Sequence, residues 1–133
     1  MSEIGSTNDL KIAMTSNNNF RDPAIPNNVF LEINNQVIPI MRRETKLGRS
    51  LENDLVIQDV LVSRDHAKVV CEDGKFILYN LDSTGGSFIN GTKCTRGELK
   101  SGDEISLATV KITFREESPD LETKADEKTG TLL

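Results

Sequence analysis

Three short clusters in this chain hold side chains suited to chemistry with anions or acyl groups. The first is Gly48-Arg49, closing the run Glu44–Arg49. A guanidinium offers a planar fork of N–H donors to a phosphate or carboxylate, though a glycine-arginine pair on its own reads as a bulge beside a solvated side chain. The second is Ser63-Arg64-Asp65-His66-Ala67, entering the apolar run Lys68–Cys71. Ser, Asp and His within four residues cannot easily converge as a catalytic triad, whose members come from separate segments. His66 is the only histidine in the chain, which excludes a multi-histidine metal site. It reads instead as an imidazole packed beneath its loop and bonded to backbone. The third is Asp82-Ser83-Thr84-Gly85-Gly86-Ser87-Phe88-Ile89-Asn90-Gly91. Adjacent glycines with three hydroxyls suit a phosphate cradle or, more plainly, a flexible turn. Neither GxxxxGK[ST] nor a strand-GxGxxG-helix pattern occurs, so nucleotide-binding folds have no support.

The segments that must position these clusters alternate with period two. Val29, Leu31 and Ile33 interleave with Phe30, Glu32 and Asn34; Val110, Ile112 and Phe114 with Lys111, Thr113 and Arg115. Ile105 and Leu107 flank Ser106, and Phe76 and Leu78 alternate with Ile77 and Tyr79. Such alternation predicts half-buried strands. The breaks are turn chemistry: Asn34-Asn35, Asp73-Gly74, Asn90-Gly91 and Ser101-Gly102-Asp103. Pro39 cannot donate to a ladder and predicts an edge strand or a bulge. No stretch here has the i, i+3, i+4, i+7 spacing of a helix. Many short strands separated by turns predict an all-β sandwich or barrel over residues 27–116.

Residues 1–26 and 117–133 are polar, with too little apolar surface to offset the entropy of ordering them, and are expected to be flexible tails. The chain carries 16 Lys+Arg against 21 Asp+Glu, a net charge of -5. Counted along the sequence, residues 27–116 are near neutral and the C-terminal tail is acidic. A nucleic-acid binder would show a basic surplus, so no nucleic-acid partner is expected. No apolar run approaches a membrane helix and Met1-Ser2-Glu3 does not open a signal peptide, which predicts a cytoplasmic protein without membrane insertion. Cys71 and Cys94 form no CxxC and are expected as reduced, packed thiols.

Together the clusters have a specific order: Gly48-Arg49, then Ser63–Ala67 fourteen residues after Arg49, then Ser83–Gly91, then Leu99–Ile105. This arrangement resembles the forkhead-associated (FHA) domain, a family that binds phosphothreonine in partner proteins, over roughly residues 29–115. The resemblance implies a β-sandwich of about eleven mostly antiparallel strands, with the binding loops at one end. It assigns Arg49 to the phosphate, Ser63 and Thr84 to hydroxyls on either side of it, and Arg64 to a slot that contacts the peptide backbone in some members. His66, Asn90, Gly48 and Gly91 fall on positions that support the site. Gly85 departs from the pattern: many members have an asparagine there that clamps the peptide main chain. Leu61 stands where some members place an arginine that selects an acidic residue at the third position after phosphothreonine, and a leucine implies an apolar preference instead.

The resemblance thus implies a phosphothreonine-dependent adaptor module, with a Ser/Thr kinase or its substrate as the expected class of partner. No covalent bond is made or broken in such binding, so no enzymatic activity, metal or cofactor is expected. Two other readings stay open: a phosphate-independent interaction module of the same fold, and a regulatory domain excised from a larger enzyme or transporter. The tails add a self-binding reading. Thr7, Thr15, Thr123, Thr129 and Thr131 lie outside the core. A flexible span of about 20 residues between Thr7 and the domain reaches roughly 25 Å, enough to bring a phosphorylated tail to the chain's own loops or to a second copy.

Overall fold

The computed structural model describes residues 11–14 and 21–117. The strands are β1 (Lys11–Met14), β2 (Val29–Ile33), β3 (Gln36–Pro39), β4 (Glu44–Gly48), β5 (Leu55–Gln58), β6 (Ala67–Glu72), β7 (Lys75–Asn80), β8 (Ser87–Ile89), β9 (Thr92–Lys93), β10 (Arg96–Leu99), β11 (Glu104–Leu107) and β12 (Val110–Glu116). They form two six-stranded sheets, ordered β1-β5-β4-β6-β7-β10 and β3-β2-β12-β11-β8-β9. Every pairing is antiparallel except β4 with β5, where Leu47 faces Leu55 and Gly48 faces Val56 in parallel. Eleven of the strands lie between residues 29 and 116, as the resemblance implied.

Hydrophobic alternation explains the packing. β2 and β12 bury Val29, Leu31, Ile33, Val110, Ile112 and Phe114 against Leu47, Leu55, Ile57, Val69, Phe76 and Leu78 of the facing sheet. The Phe76 and Phe114 rings meet at 5.5 Å between centroids, tilted by 46°. The alternation is incomplete: Ile77 and Ser106, expected on outer faces, are also buried. Three two-residue hairpins use the left-handed backbone their sequences favour, at Asn34-Asn35 (φ 51° and 65°), Asp73-Gly74 (52° and 79°) and Asn90-Gly91 (51° and 86°). Pro39 lies on β3, the edge of its sheet.

Part of the segment expected as an N-terminal tail is ordered. β1 pairs antiparallel with β5, from Lys11 opposite Gln58 to Met14 opposite Leu55, so it takes up main-chain groups on an otherwise open sheet edge. Further on, the Asp22 N–H donates to Met41 O at 2.8 Å, and Ile25, 4% exposed, joins the core. Average composition misses both, because one strand's main-chain bonds and one well-placed isoleucine suffice. The tail threonines, and residues 118–133, lie outside the described residues.

Candidate functional site

Four connections converge at one end of the sandwich: β4–β5, β5–β6, β7–β8 and β11–β12. The first is held against the second by close backbone approach. A Cβ on Gly48 would sit 2.2 Å from Arg64 O and 2.7 Å from Asn53 Nδ2, so only glycine lets the two segments meet. The Arg49 N–H donates to Ser63 O at 3.0 Å and the Ser50 N–H to Arg64 O at 3.1 Å. Buried Asn53 adds side-chain bonds from Nδ2 to Ser50 O (3.0 Å) and Arg64 O (2.6 Å). The Arg49 guanidinium donates from Nε to Val62 O at 2.9 Å, which fixes its plane. Its side chain is exposed and makes no ion pair with a described carboxylate, so its terminal N–H groups are available to an anion.

His66 holds the second connection to the third. Fully buried, it accepts the Ser63 N–H at Nδ1 (3.0 Å) and donates from Nε2 to Gly86 O (2.8 Å). Accepting at one nitrogen while donating from the other defines a neutral ring with the proton on Nε2. Burial accordingly pushes its pKa below the ordinary value, against an opposing pull from the Gly86 carbonyl. The Ser63 hydroxyl accepts the Thr84 N–H at 3.1 Å, which orients the oxygen and leaves its own proton free to donate.

Beneath the third connection, Asn80 Oδ1 accepts from Ser83 Oγ and from buried Ser87 Oγ, each at 2.6 Å. Ser83 Oγ in turn accepts the Gly86 N–H at 3.1 Å. The loop carrying Thr84 is therefore pinned on both sides. Gly86 has φ 83°, a left-handed conformation that suits glycine.

These loops surround an open groove of about 590 Å³. Arg49, Ser63, Thr84 and Thr109 supply its polar lining, and Val60, Leu61, Val62, Phe88 and Ala108 an apolar wall, with Gly85 between them. Four of the five residues expected to contact ligand thus share one groove. The fifth, Arg64, is exposed and does not line it; the structure uses its carbonyl, as acceptor for Ser50 and Asn53. Gly48 and His66 lie directly under the loops. Asn90 and Gly91 lie at the far end of β8: Asn90 donates to Asp103 Oδ1 and accepts the Glu104 N–H, each at 2.9 Å, fastening the β8–β9 turn to β11. Sequence reasoning missed Asn53, Asn80 and Ala108. The first two are ordinary loop and strand-end asparagines whose role appears only once distant carbonyls and hydroxyls meet them. Among the described residues no cluster of three or more His, Cys, Asp or Glu could hold a metal ion. Nor is any helix among them long and apolar enough to cross a membrane.

Fold and loops together define a two-sheet sandwich that presents a groove, with donors at one end, on its connecting loops. Residues 45–108 match the family model of the FHA domain. The chain is 35% identical over 75 residues to an oxoglutarate dehydrogenase inhibitor of Corynebacterium diphtheriae, an alignment that covers 56% of this chain and 52% of that protein. An ABC transporter ATP-binding/permease protein of Mycobacterium tuberculosis is 33% identical over 69 residues, covering 52% of this chain and 8% of that protein. The structure also resembles that of Mycobacterium tuberculosis EmbR in complex with a low-affinity phosphopeptide. There the TM-score is 0.65 at 25% identity, over 68% of this chain and 24% of that one. The chain spans about half the length of the inhibitor it matches, and a small part of the transporter.

Proposed function

We propose that this domain, residues 27–116, is a phosphothreonine-dependent binding module that recruits a phosphorylated protein, a Ser/Thr kinase or its substrate, through the loop-end groove. The observation that carries the reading is the arrangement of Arg49, Ser63 and Thr84. A guanidinium fixed through Nε keeps its terminal N–H groups free, beside a hydroxyl oriented by its accepted bond. A phosphothreonine brings about -1.5 to -2 charges and three acceptor oxygens. Charge-assisted bonds to it are worth roughly 1.5–3 kcal/mol each, so one arginine and two hydroxyls can hold it without a basic patch. Gly48, His66, Asn53 and Asn80 act by holding the loops; Asn90 and Gly91 act at one remove, through the β8–β11 pairing.

The groove binds and releases without bond chemistry, and we assign the chain no catalytic role and a cytoplasmic setting. The match of residues 45–108 to the FHA family model and the similarity to a structure with bound phosphopeptide support this reading. The transporter relative, in which a matching segment is a small part of a long chain, keeps a second context in view: the same module can regulate a larger protein. NMR titration with a degenerate phosphothreonine peptide pool and its unphosphorylated twin tests the proposal. Shifts around Arg49, Ser63 and Thr84 with the phosphorylated pool alone are the expected result. Equal shifts with both pools, or shifts confined to a sheet face, would favour phosphate-independent binding and overturn the proposal.

A further inference from the structure

Asn90-Gly91 is the one Asn-Gly step in the chain, and Asn-Gly is the pair at which a polypeptide most readily modifies itself. The Gly91 amide nitrogen attacks the carbonyl carbon of the Asn90 side chain. The bond to the carboxamide nitrogen breaks, and that nitrogen leaves as ammonia, taking the Gly91 amide proton. Water then opens the resulting succinimide to aspartate or, with the main chain rerouted through the side chain, to isoaspartate. Water is the sole co-reactant, and the site is open to it: Asn90 is exposed, and a Cβ built on Gly91 would meet nothing within 4 Å.

The fold holds the reacting groups apart. Asn90 Nδ2 donates to Asp103 Oδ1 and Asn90 Oδ1 accepts the Glu104 N–H, each at 2.9 Å, while the Asn90 N–H donates to Glu104 O at 2.7 Å. Ring closure needs the carboxamide carbon over the Gly91 nitrogen, so both side-chain bonds must break first. Asp103 is itself fixed. Its Oδ2 accepts the Lys100 N–H at 2.8 Å, its N–H donates to Lys100 O at 2.9 Å, and its carbonyl accepts the Phe114 N–H at 2.9 Å. Its carboxylate is therefore a rigid acceptor, and a charge-assisted bond to it is stronger than a neutral one.

We propose that Asn90-Gly91 is a latent self-modification site, latched shut by Asp103 and the Glu104 N–H, and that its products cannot relatch. An aspartate at position 90 has no N–H to offer Asp103 Oδ1 and would set one carboxylate against another, which disfavours the charged pair. Isoaspartate adds a methylene to the main chain of a two-residue turn whose length sets the pairing of its strands. Either change reaches β8, whose Ser87 donates to Asn80 and whose Phe88 lines the groove. A chain whose β8–β9 turn has opened long enough to react carries a permanent lesion there, and a chain kept closed does not accumulate one. The chemistry is independent of what the groove binds.

The test incubates the full chain in mildly alkaline buffer, folded or in urea, and follows each asparagine by peptide mass spectrometry, with electron-transfer fragmentation to tell aspartate from isoaspartate. In urea, Asn90 should react before every other asparagine. Folded, it should react at least about tenfold more slowly, the factor set by breaking one charge-assisted bond. Asp103→Ala should return most of that factor. Asp103→Asn, which keeps an oxygen acceptor opposite Asn90 Nδ2, should stay within about threefold of wild type. Both variants are compared at a temperature where circular dichroism shows them folded. Equal rates in folded and unfolded wild type overturn the latch. Equal acceleration by the two Asp103 variants overturns it too, since that reports a loosened turn rather than a lost acceptor. In urea unfolding, Asn90→Asp should lower the folding constant about tenfold or more; wild-type stability would mean that the product relatches, and would overturn that part of the proposal.

Discussion

His66 offers a test in which one proton reports on the whole loop scaffold. It is fully buried, accepts the Ser63 N–H and donates to Gly86 O. Protonating Nδ1 would set an N–H against an N–H and place a charge in the core, so the folded-state pKa is lowered by burial. In the unfolded chain the imidazole titrates near 6.5. The folded state therefore binds fewer protons, and stability rises with pH through this range. The contribution is fully present above about pH 6.5 and falls as pH drops below it, by at most about 1.4 kcal/mol per pH unit, until the lowered folded pKa is reached. Because the chain has one histidine, urea unfolding of wild type and His66→Gln between pH 5 and 8 isolates this proton. Carboxylate titrations are common to both proteins and cancel in the difference. The two stability curves should run parallel above pH 7 and converge as pH falls. Curves parallel throughout, or an imidazolium NMR signature in the folded protein at pH 6, would refute the argument. The variant also tests the bracing itself: Gly86 O keeps the Ala108 N–H at 3.0 Å, but the Ser63 N–H loses its partner, which should cost about 1–3 kcal/mol if glutamine fails to reach it.

Three substitutions and one change of solvent separate binding from scaffolding. Arg49→Ala should weaken phosphothreonine peptide binding at least tenfold, roughly one charge-assisted bond, with little change in Tm, as calorimetric titration and thermal melts would show. Gly48→Ala should lower stability by about 2 kcal/mol or more in urea unfolding, because its Cβ would lie 2.2 Å from Arg64 O. Asn80→Ala should release both Ser83 and Ser87, costing about 1–3 kcal/mol and raising amide exchange at Gly86. Raising NaCl from 0.1 to 1 M shrinks the Debye length from about 10 Å to about 3 Å; contacts at hydrogen-bond distance should survive, so affinity should fall less than about tenfold. A hundredfold loss would point to long-range attraction that a near-neutral domain does not supply.

The parts of the molecule legible in its sequence are those set by local periodicity and turn chemistry. Alternation in Val29–Ile33 and Val110–Glu116 marked the central strands, and Asn34-Asn35, Asp73-Gly74 and Asn90-Gly91 marked hairpins that adopt the backbone those residues favour. The order of Gly48-Arg49, Ser63–Ala67 and Ser83–Gly91 marked the loop end. What stayed hidden depends on residues far apart in the chain. Nothing local says that Asn53 will meet the Arg64 carbonyl, or that Asn80 will carry two serine hydroxyls. The β1–β5 pairing was invisible for a related reason. A four-residue strand on an open edge is stabilised by the partner's main chain, and a polar segment's composition carries no record of that.

Gly85 shows how a departure from a family pattern changes meaning once neighbours are visible. In the sequence it is a missing clamp, and a missing clamp argues for weaker reading of the ligand. In the structure the space is filled: the Ala108 methyl lies where a side chain at position 85 would begin, and Leu61 faces the same groove. The backbone of the loop, meanwhile, is held as firmly as a polar network can hold it, through His66 to Gly86, Ser63 to Thr84 and Asn80 to Ser83. Rigid main chain lowers the entropy lost on binding, which offsets part of a lost side-chain bond without replacing its direction. The directional part is what an apolar contact cannot copy. The pair Gly85 and Ala108 then acts as a unit, because changing either alone leaves a clash or a gap.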